Sequence, residues 1–168
     1  VREELLAEPT LAARLAARPA APLLAPLVAP PLDAGDAAGL DLILEGFLAH
    51  HGRPRDLAPA SREDDVLAGD FCYAAGLVRV ARAGDVFVVA ALAELVALSA
   101  GLVAEGRGDV LPDLWRAVAA AIADPDRPGA AAALDAALAA VRAGGGEAGL
   151  RTLARRVGEA PALAEALA

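Results

Sequence analysis

The chain has 168 residues, 57% of them hydrophobic but only 3% aromatic, and its 23 acidic against 15 basic residues leave a formal charge of −8. That acidic balance excludes phosphate-backbone binding as a main task, because nucleic-acid surfaces carry a basic stripe. The single cysteine, Cys72, excludes an internal disulfide and a multi-cysteine metal cage.

Alanine supplies 47 residues, while lysine, methionine, asparagine and glutamine are absent. Alanine and leucine at this density favour helix, so the fold class expected is all-α, a helical bundle in one domain over residues 1–168. The pattern predicts a first helix over Glu3–Ala17 that stops before Pro19. Five prolines from Pro19 to Pro31 then break the chain, making residues 1–35 a proline-interrupted segment. A second helix is expected over Ala37–His51, closed by Gly52, with Arg53–Ala60 as a loop. Ser61 with Asp64 three residues on is an acidic variant of the capping box. Glu63 and Asp65 beside it suit the positive end of the helix dipole.

That third helix reaches about Ala83 and breaks at Gly84. Asp85 caps a fourth, running to Glu105 ahead of Gly106 and Gly108. Further helices are predicted over Leu111–Ala123, Gly129–Ala143 and Glu147–Val157, with a short one from Pro161. The mean hydropathy is +0.48, and the window Val86–Ala104 holds one charge, Glu94. Its length would span a bilayer. The charged centre and the flanking Arg82, Asp85, Glu105 and Arg107 fit a buried helix better than a membrane span. Val1–Glu8 carry three acids and an arginine with no apolar run, so no secretory signal is read there and a cytoplasmic chain is expected.

Chemistry-bearing residues are few. His50 and His51 are neighbours, about 100° apart on a helix, and do not face one metal together; the plainer reading is a pair of helix-end histidines favoured by the dipole. Cys72 lies on an apolar helix with no histidine near it in sequence, which is the setting of an inert buried thiol. The cluster Glu63, Asp64 and Asp65 has the composition of a divalent-metal site, but its place at a helix start is sufficient structural reason for it. Gly144–Gly146 lacks the lysine and hydroxyl of a phosphate loop. Ser61 and Ser99, the two serines, sit in no nucleophile elbow.

One stretch goes further. Val66-Leu67-Ala68-Gly69-Asp70-Phe71-Cys72-Tyr73-Ala74 is followed by an apolar helix, Gly84-Asp85, a second apolar helix and Ala104-Glu105-Gly106. This resembles the trans-isoprenyl diphosphate synthases (polyprenyl synthetases), whose central helices open with "VLxGDFxYxxA" and close with "AEG". Leu40-Asp41-Leu42-Ile43 through Leu48-Ala49-His50 is similar to the family's "ELIHxxxLLHDD" helix. Ala136, Leu138, Val141 and Arg142 with Gly144–Gly146 and the segment Ala148–Arg155 are similar to its C-terminal "GG…A" pair. The likeness is closer over residues 36–106 than over 129–160.

The resemblance implies a truncated isoprenoid-synthase fold. Active members condense isopentenyl diphosphate onto an allylic diphosphate with Mg²⁺ held by two DDxxD motifs, because a departing diphosphate needs hard cations on oxygen ligands. Here His51-Gly52-Arg53-Pro54-Arg55 stands where the first aspartate pair should be, and no second DDxxD lies between Glu105 and Gly129. The lysine of the family's N-terminal phrase is absent too. The expectation is therefore a small, non-catalytic subunit with no cofactor, in a homo-oligomer or a heteromer with a full-length prenyl diphosphate synthase. Phe71, Cys72, Tyr73 and Leu77 would lie at the interface, Phe47 and Leu48 would line or plug the product pocket, and Arg53 and Arg55 would hold a diphosphate. Two alternatives stand beside it. One is a small Mg²⁺-dependent prenyltransferase using Asp64, Asp65 and Asp70, with Glu63 nearby. The other is a helical protein that binds isoprenoid or lipid without catalysis; a decayed family member would retain no role.

Overall fold

The computed structural model describes residues 1–30 and 32–168. It is all-α: 72% of the chain is helical and no sheet forms among the described residues. The elements are α1 (Arg2–Ala7), α2 (Pro9–Ala12), α3 (Ala25–Val28), α4 (Ala34–His51), α5 (Arg62–Ala81), α6 (Val86–Ala104), α7 (Leu111–Ala123), α8 (Arg127–Arg142), α9 (Ala148–Ala154) and α10 (Pro161–Leu167). Short 3-10 turns precede α7 at Gly108–Val110 and follow α9 at Arg155–Val157.

The expected first helix over Glu3–Ala17 is instead two short helices and an irregular segment. Pro9 has no N–H to donate and its ring would strike the carbonyl four residues back. Glu8 therefore turns extended and accepts from Thr10 N through its side chain at 3.2 Å. Beyond α2 the chain leaves helix altogether. Ala16 N donates to Asp56 O at 2.8 Å and Ala58 N to Arg14 O at 2.7 Å, which pins Leu15 against Leu57.

Local capping explains the later boundaries. Asp33 accepts from Asp36 N at 2.8 Å and starts α4 three residues ahead of the expected Ala37. Ser61 Oγ accepts from Asp64 N at 3.1 Å, the cap expected of this sequence, while the return contact runs from the Ser61 hydroxyl to Asp64 Oδ2 at 2.7 Å rather than from the Ser61 backbone N–H of a capping box. Asp85 accepts from Val88 N at 3.2 Å to open α6, after Gly84 turns the chain at φ +73°. Asp126 likewise caps α8, which starts at Arg127 rather than Gly129, with Pro128 in its first turn.

Helices α4 and α5 pack closely because glycine stands at both crossings. An added Cβ at Gly76 would lie 2.7 Å from Gly39 O, and one at Gly46 would lie 2.9 Å from Gly69 O. The two pairs are antiparallel and seven residues apart on each helix, two turns of one facing stripe. The main core gathers around α7, which packs against α3, α6, α8, α9 and α10. Trp115 on α7 is fully buried and lies 5.4 Å from the Phe47 ring. A second cluster, Leu5, Leu11, Leu42, Leu57, Ala68 and Cys72, seats the N-terminal helices on the other side of α4 and α5. Arg116, buried on α7, donates from Nε to Gly158 O at 2.9 Å and so ties down the turn before α10.

Candidate functional site

The most elaborate polar arrangement joins the irregular segment 13–24 to α4. Asp41, two turns into α4 and buried, accepts from Leu23 N at 2.7 Å and from Leu24 N and Ala25 N at 3.0 Å each. A turn later Glu45 accepts from Arg55 N at 2.8 and 3.0 Å and from Asp56 N at 2.8 Å. Asp56 in turn accepts from Ala20 N at 3.1 Å. Burial raises the Glu45 pKa above the usual carboxylate value, and the two backbone N–H groups pull the other way. Between the segment and α4 lies a cavity of about 510 Å³ that Asp41, Glu45 and Asp56 all border. Sequence reasoning missed this arrangement. The available signal was a pair of acids at i and i+4 within an otherwise apolar stretch, Leu40 to Leu48.

The carboxylates considered for metal do not converge. Glu63 and Asp64 are exposed in the first turn of α5, Asp64 being engaged with Ser61. Asp65 pairs with the Arg14 guanidinium. Asp70 is two-thirds exposed, with Oδ1 3.1 Å from His50 Nε2 but off the direction for a hydrogen bond. Among the described residues, no three His, Cys, Asp or Glu side chains are placed to share a metal ion.

The aromatic residues of the same region serve packing. His50 stacks on Tyr73 with centroids 5.3 Å apart and planes within 19°. It also covers Gly69, where an added Cβ would meet its ring at 2.3 Å. His51 leans on Phe47 at 4.9 Å; burial lowers its pKa, and the charges of His50 and Arg62 push it the same way. Phe47 and Leu48 are buried in the main core. Cys72 is fully buried, and burial, with Glu45 and Asp56 adding, pushes its thiol up to about 12. Tyr73 is half-buried, and burial raises its phenol in the same sense. Phe71 is half-buried against the second cluster.

Arg55 donates to Ala21 O at 2.8 Å, so its guanidinium is partly committed to the backbone. Arg53 is exposed and makes no ion pair among the described residues. Both border an open depression of about 630 Å³ shared with Glu165 on α10. The structure does not gather them with Asp64, Asp65 or Asp70.

The remaining feature is a surface. Helix α6 is, among the described residues, the one helix long and apolar enough to cross a membrane, yet only about a third of it is buried. Its outer side presents Val86, Ala90, Ala93, Ala97, Ala100 and Ala104 in line, with Val86 80% exposed. Leu67 at 68% and Val78 at 54% are exposed on α5, Leu67 bordering a separate groove with Leu11 and Arg14. Between the two helices Tyr73, Leu77, Ala93 and Val96 open onto a small apolar cleft of about 210 Å³. Glu94, at the margin, pairs with Arg142 on α8.

No family model, curated protein or solved structure matches the chain.

Proposed function

We propose that this chain is a non-catalytic subunit of isoprenoid biosynthesis that docks through the outer face of α5 and α6 on a prenyl diphosphate synthase. The observation that carries the reading is α6 itself, an apolar helix with one charge, Glu94, of which about a third is buried and whose outer side is exposed at Val86, Ala90, Ala93, Ala97 and Ala104. A helix of that kind belongs in a membrane or against other helices, and an extended apolar patch on a soluble chain marks an interaction site. The resemblance to polyprenyl synthetases, closer over α4, α5 and α6 than over α8 and α9, includes this helix. The engagement of Asp64 by Ser61 and of Asp65 by Arg14 supports a role without Mg²⁺ chemistry.

A second copy of the chain is the other partner the face suits. The spacings along Val86, Ala90, Ala93, Ala97, Ala100 and Ala104 read the same in both directions. An antiparallel pair of α6 helices would set Ala93 against Ala97 and Ala90 against Ala100, as an isologous interface requires.

Size-exclusion chromatography with light scattering separates these readings, run on the chain alone and mixed with a full-length prenyl diphosphate synthase. Each sample is also assayed for isopentenyl diphosphate incorporation with Mg²⁺. The proposal expects a mixed complex with altered product length, lost on Ala93→Glu, and no incorporation by the chain alone. A homodimer that excludes the synthase supports the second reading. Incorporation by the chain alone, or an unchanged monomer in every mixture, overturns the proposal.

A further inference from the structure

The cavity between segment 13–24 and α4, about 510 Å³, falls within the range of small-molecule sites. Its outer wall is short of polar groups for a local reason. Of the eight residues from Pro19 to Pro26, three are prolines, which have no N–H to offer. Asp56 takes the N–H of Ala20, and Asp41 takes those of Leu23, Leu24 and Ala25. Ala21 alone keeps an N–H outside these bonds. The opposite wall is the methyl surface of Ala34, Ala37 and Ala38 on α4. No aromatic ring borders the space, so nothing there favours a flat ligand by stacking.

The charged groups at the inner end are engaged with the protein itself. Both oxygens of Asp41 and both of Glu45 accept from backbone N–H groups. Arg2 and Arg55 each donate to a backbone carbonyl, Ala16 O and Ala21 O. Three acids, Asp41, Glu45 and Asp56, share the border with three basic groups, the Val1 ammonium and the guanidiniums of Arg2 and Arg55. Among the described residues, the buried side-chain polar atoms without a partner are Arg14 Nε, His50 Nε2, Ser99 Oγ and Trp115 Nε1, and none of these residues borders the cavity. The site therefore asks neither a charge nor a hydrogen bond of a ligand. An ion entering it would lose hydration without gaining a free partner. The carboxylate bonds also fix the outer segment at residue 20 and at residues 23–25, so the protein sets the position of the walls, a preorganisation that lowers the cost of binding.

We propose that this cavity is a binding site for a small neutral molecule with a compact aliphatic body. Affinity comes from apolar area removed from water against alanine and proline, and selection comes from the exclusion of ions. The site is separate from the outer side of α6 and does not depend on what docks there.

Isothermal titration calorimetry on the full chain at neutral pH tests this with three probes of one shape, cyclohexylmethanol, cyclohexylmethylammonium and cyclohexanecarboxylate. Runs at two temperatures, about 10 and about 35 °C, guard against a heat that passes through zero, because the enthalpy of apolar binding changes with temperature. Two variants narrow the space from α4: Ala38→Leu, and Ala34→Leu at its exposed first turn. Far-UV circular dichroism verifies that both are folded. The expected result is saturable cyclohexylmethanol binding that weakens by at least about tenfold in each variant, with both ions weaker than the alcohol on the wild type by a similar factor. No saturable heat with the alcohol at either temperature, an ion that binds as tightly, or folded variants that bind like the wild type overturns the assignment.

Discussion

Replacing Gly76 with alanine tests the close approach of α4 and α5. A methyl group there would lie 2.7 Å from Gly39 O and 2.7 Å from Ile43 Cγ1, and 3.2 Å from Ile43 N. Unstrained contacts between such atoms lie near 3.5–4.0 Å, so the two helices must separate by most of an ångström. Two of the three atoms belong to the α4 backbone and cannot rotate aside. The retreat would also loosen the second crossing, where Gly46 faces Gly69 O at the same close range. Helix propensity works in the opposite sense, since alanine is favoured over glycine in a helix interior by about 0.8–1.0 kcal/mol. Overpacking costs about 1–3 kcal/mol; with two backbone atoms in the way the upper part of that range, about 2–3 kcal/mol, applies, which leaves a net loss of about 1–2 kcal/mol. For a chain of this size each kcal/mol moves the melting temperature by about 2–4 °C. Gly101→Ala on α6 is the matched control, because no atom lies within 4 Å of its added Cβ; it should gain about 1 kcal/mol from propensity alone. Urea titration followed by circular dichroism reads both, with the midpoint moving and the slope unchanged. A Gly76→Ala protein as stable as wild type would show that the glycine stripe does not enforce the contact, and the reasoning fails.

Asp41→Ala strands three backbone donors at once; each buried orphan costs about 1–3 kcal/mol, and partial rehydration of the segment brings the expected total to about 3 kcal/mol. Limited proteolysis should then cut within residues 13–24 first, and an unchanged cleavage pattern would contradict the bracing role. Cys72, with its thiol pushed up to about 12 by burial, should resist a disulfide reagent at pH 8 until urea unfolds the chain; prompt native labelling would show that it is not buried. Glu45 has a folded pKa raised above its unfolded value of 4.5, chiefly by burial. The folded state then holds the extra proton, so the stability contribution is complete below about pH 4.5 and is lost as pH rises through the folded pKa. The stability of Glu45→Gln relative to wild type should therefore improve across that window, and a difference that is flat with pH would refute the shift.

The sequence made local structure legible where the physics is local. Ser61, Asp85 and Gly84 mark boundaries through contacts within three or four residues, and the structure places helix ends there. Pro9 was equally local, but the alanine and leucine pattern on both sides carried the predicted helix across it. The buried acids were another matter. Asp41 binds residues 16–18 positions away and Asp56 binds Ala20, 36 positions away. No window of sequence contains such partners, so an acid in a buried helix face reads there only as an oddity. The glycine stripe was hidden for a different reason. With 16 glycines in the chain, the two seven-residue intervals Gly39–Gly46 and Gly69–Gly76 gain meaning only once the helices are known to be antiparallel.

The phrase from Val66 to Ala74 is the most specific part of the family resemblance, and most of its positions have a packing reason. Gly69 admits His50 and the Gly46 carbonyl. Cys72 fills the second cluster, Phe71 leans on it, and Tyr73 covers Gly46 while stacking on His50. Such a phrase is required by the pairing of two helices and makes no demand on Mg²⁺. The chemistry of diphosphate release would make its demand elsewhere, at the end of α4, and there His50, His51 and Gly52 stand without a carboxylate. The two parts of the resemblance therefore separate: helix pairing is compatible with every residue present, whereas the sequence at the end of α4 has no aspartate pair and the carboxylate beside His50 is Asp70 of α5. The docking proposal relies on the apolar outer side of α6, which that pairing does not use. Charge introduced at Ala93 is accordingly the informative perturbation, because it alters that face and leaves the glycine crossings of α4 and α5 untouched.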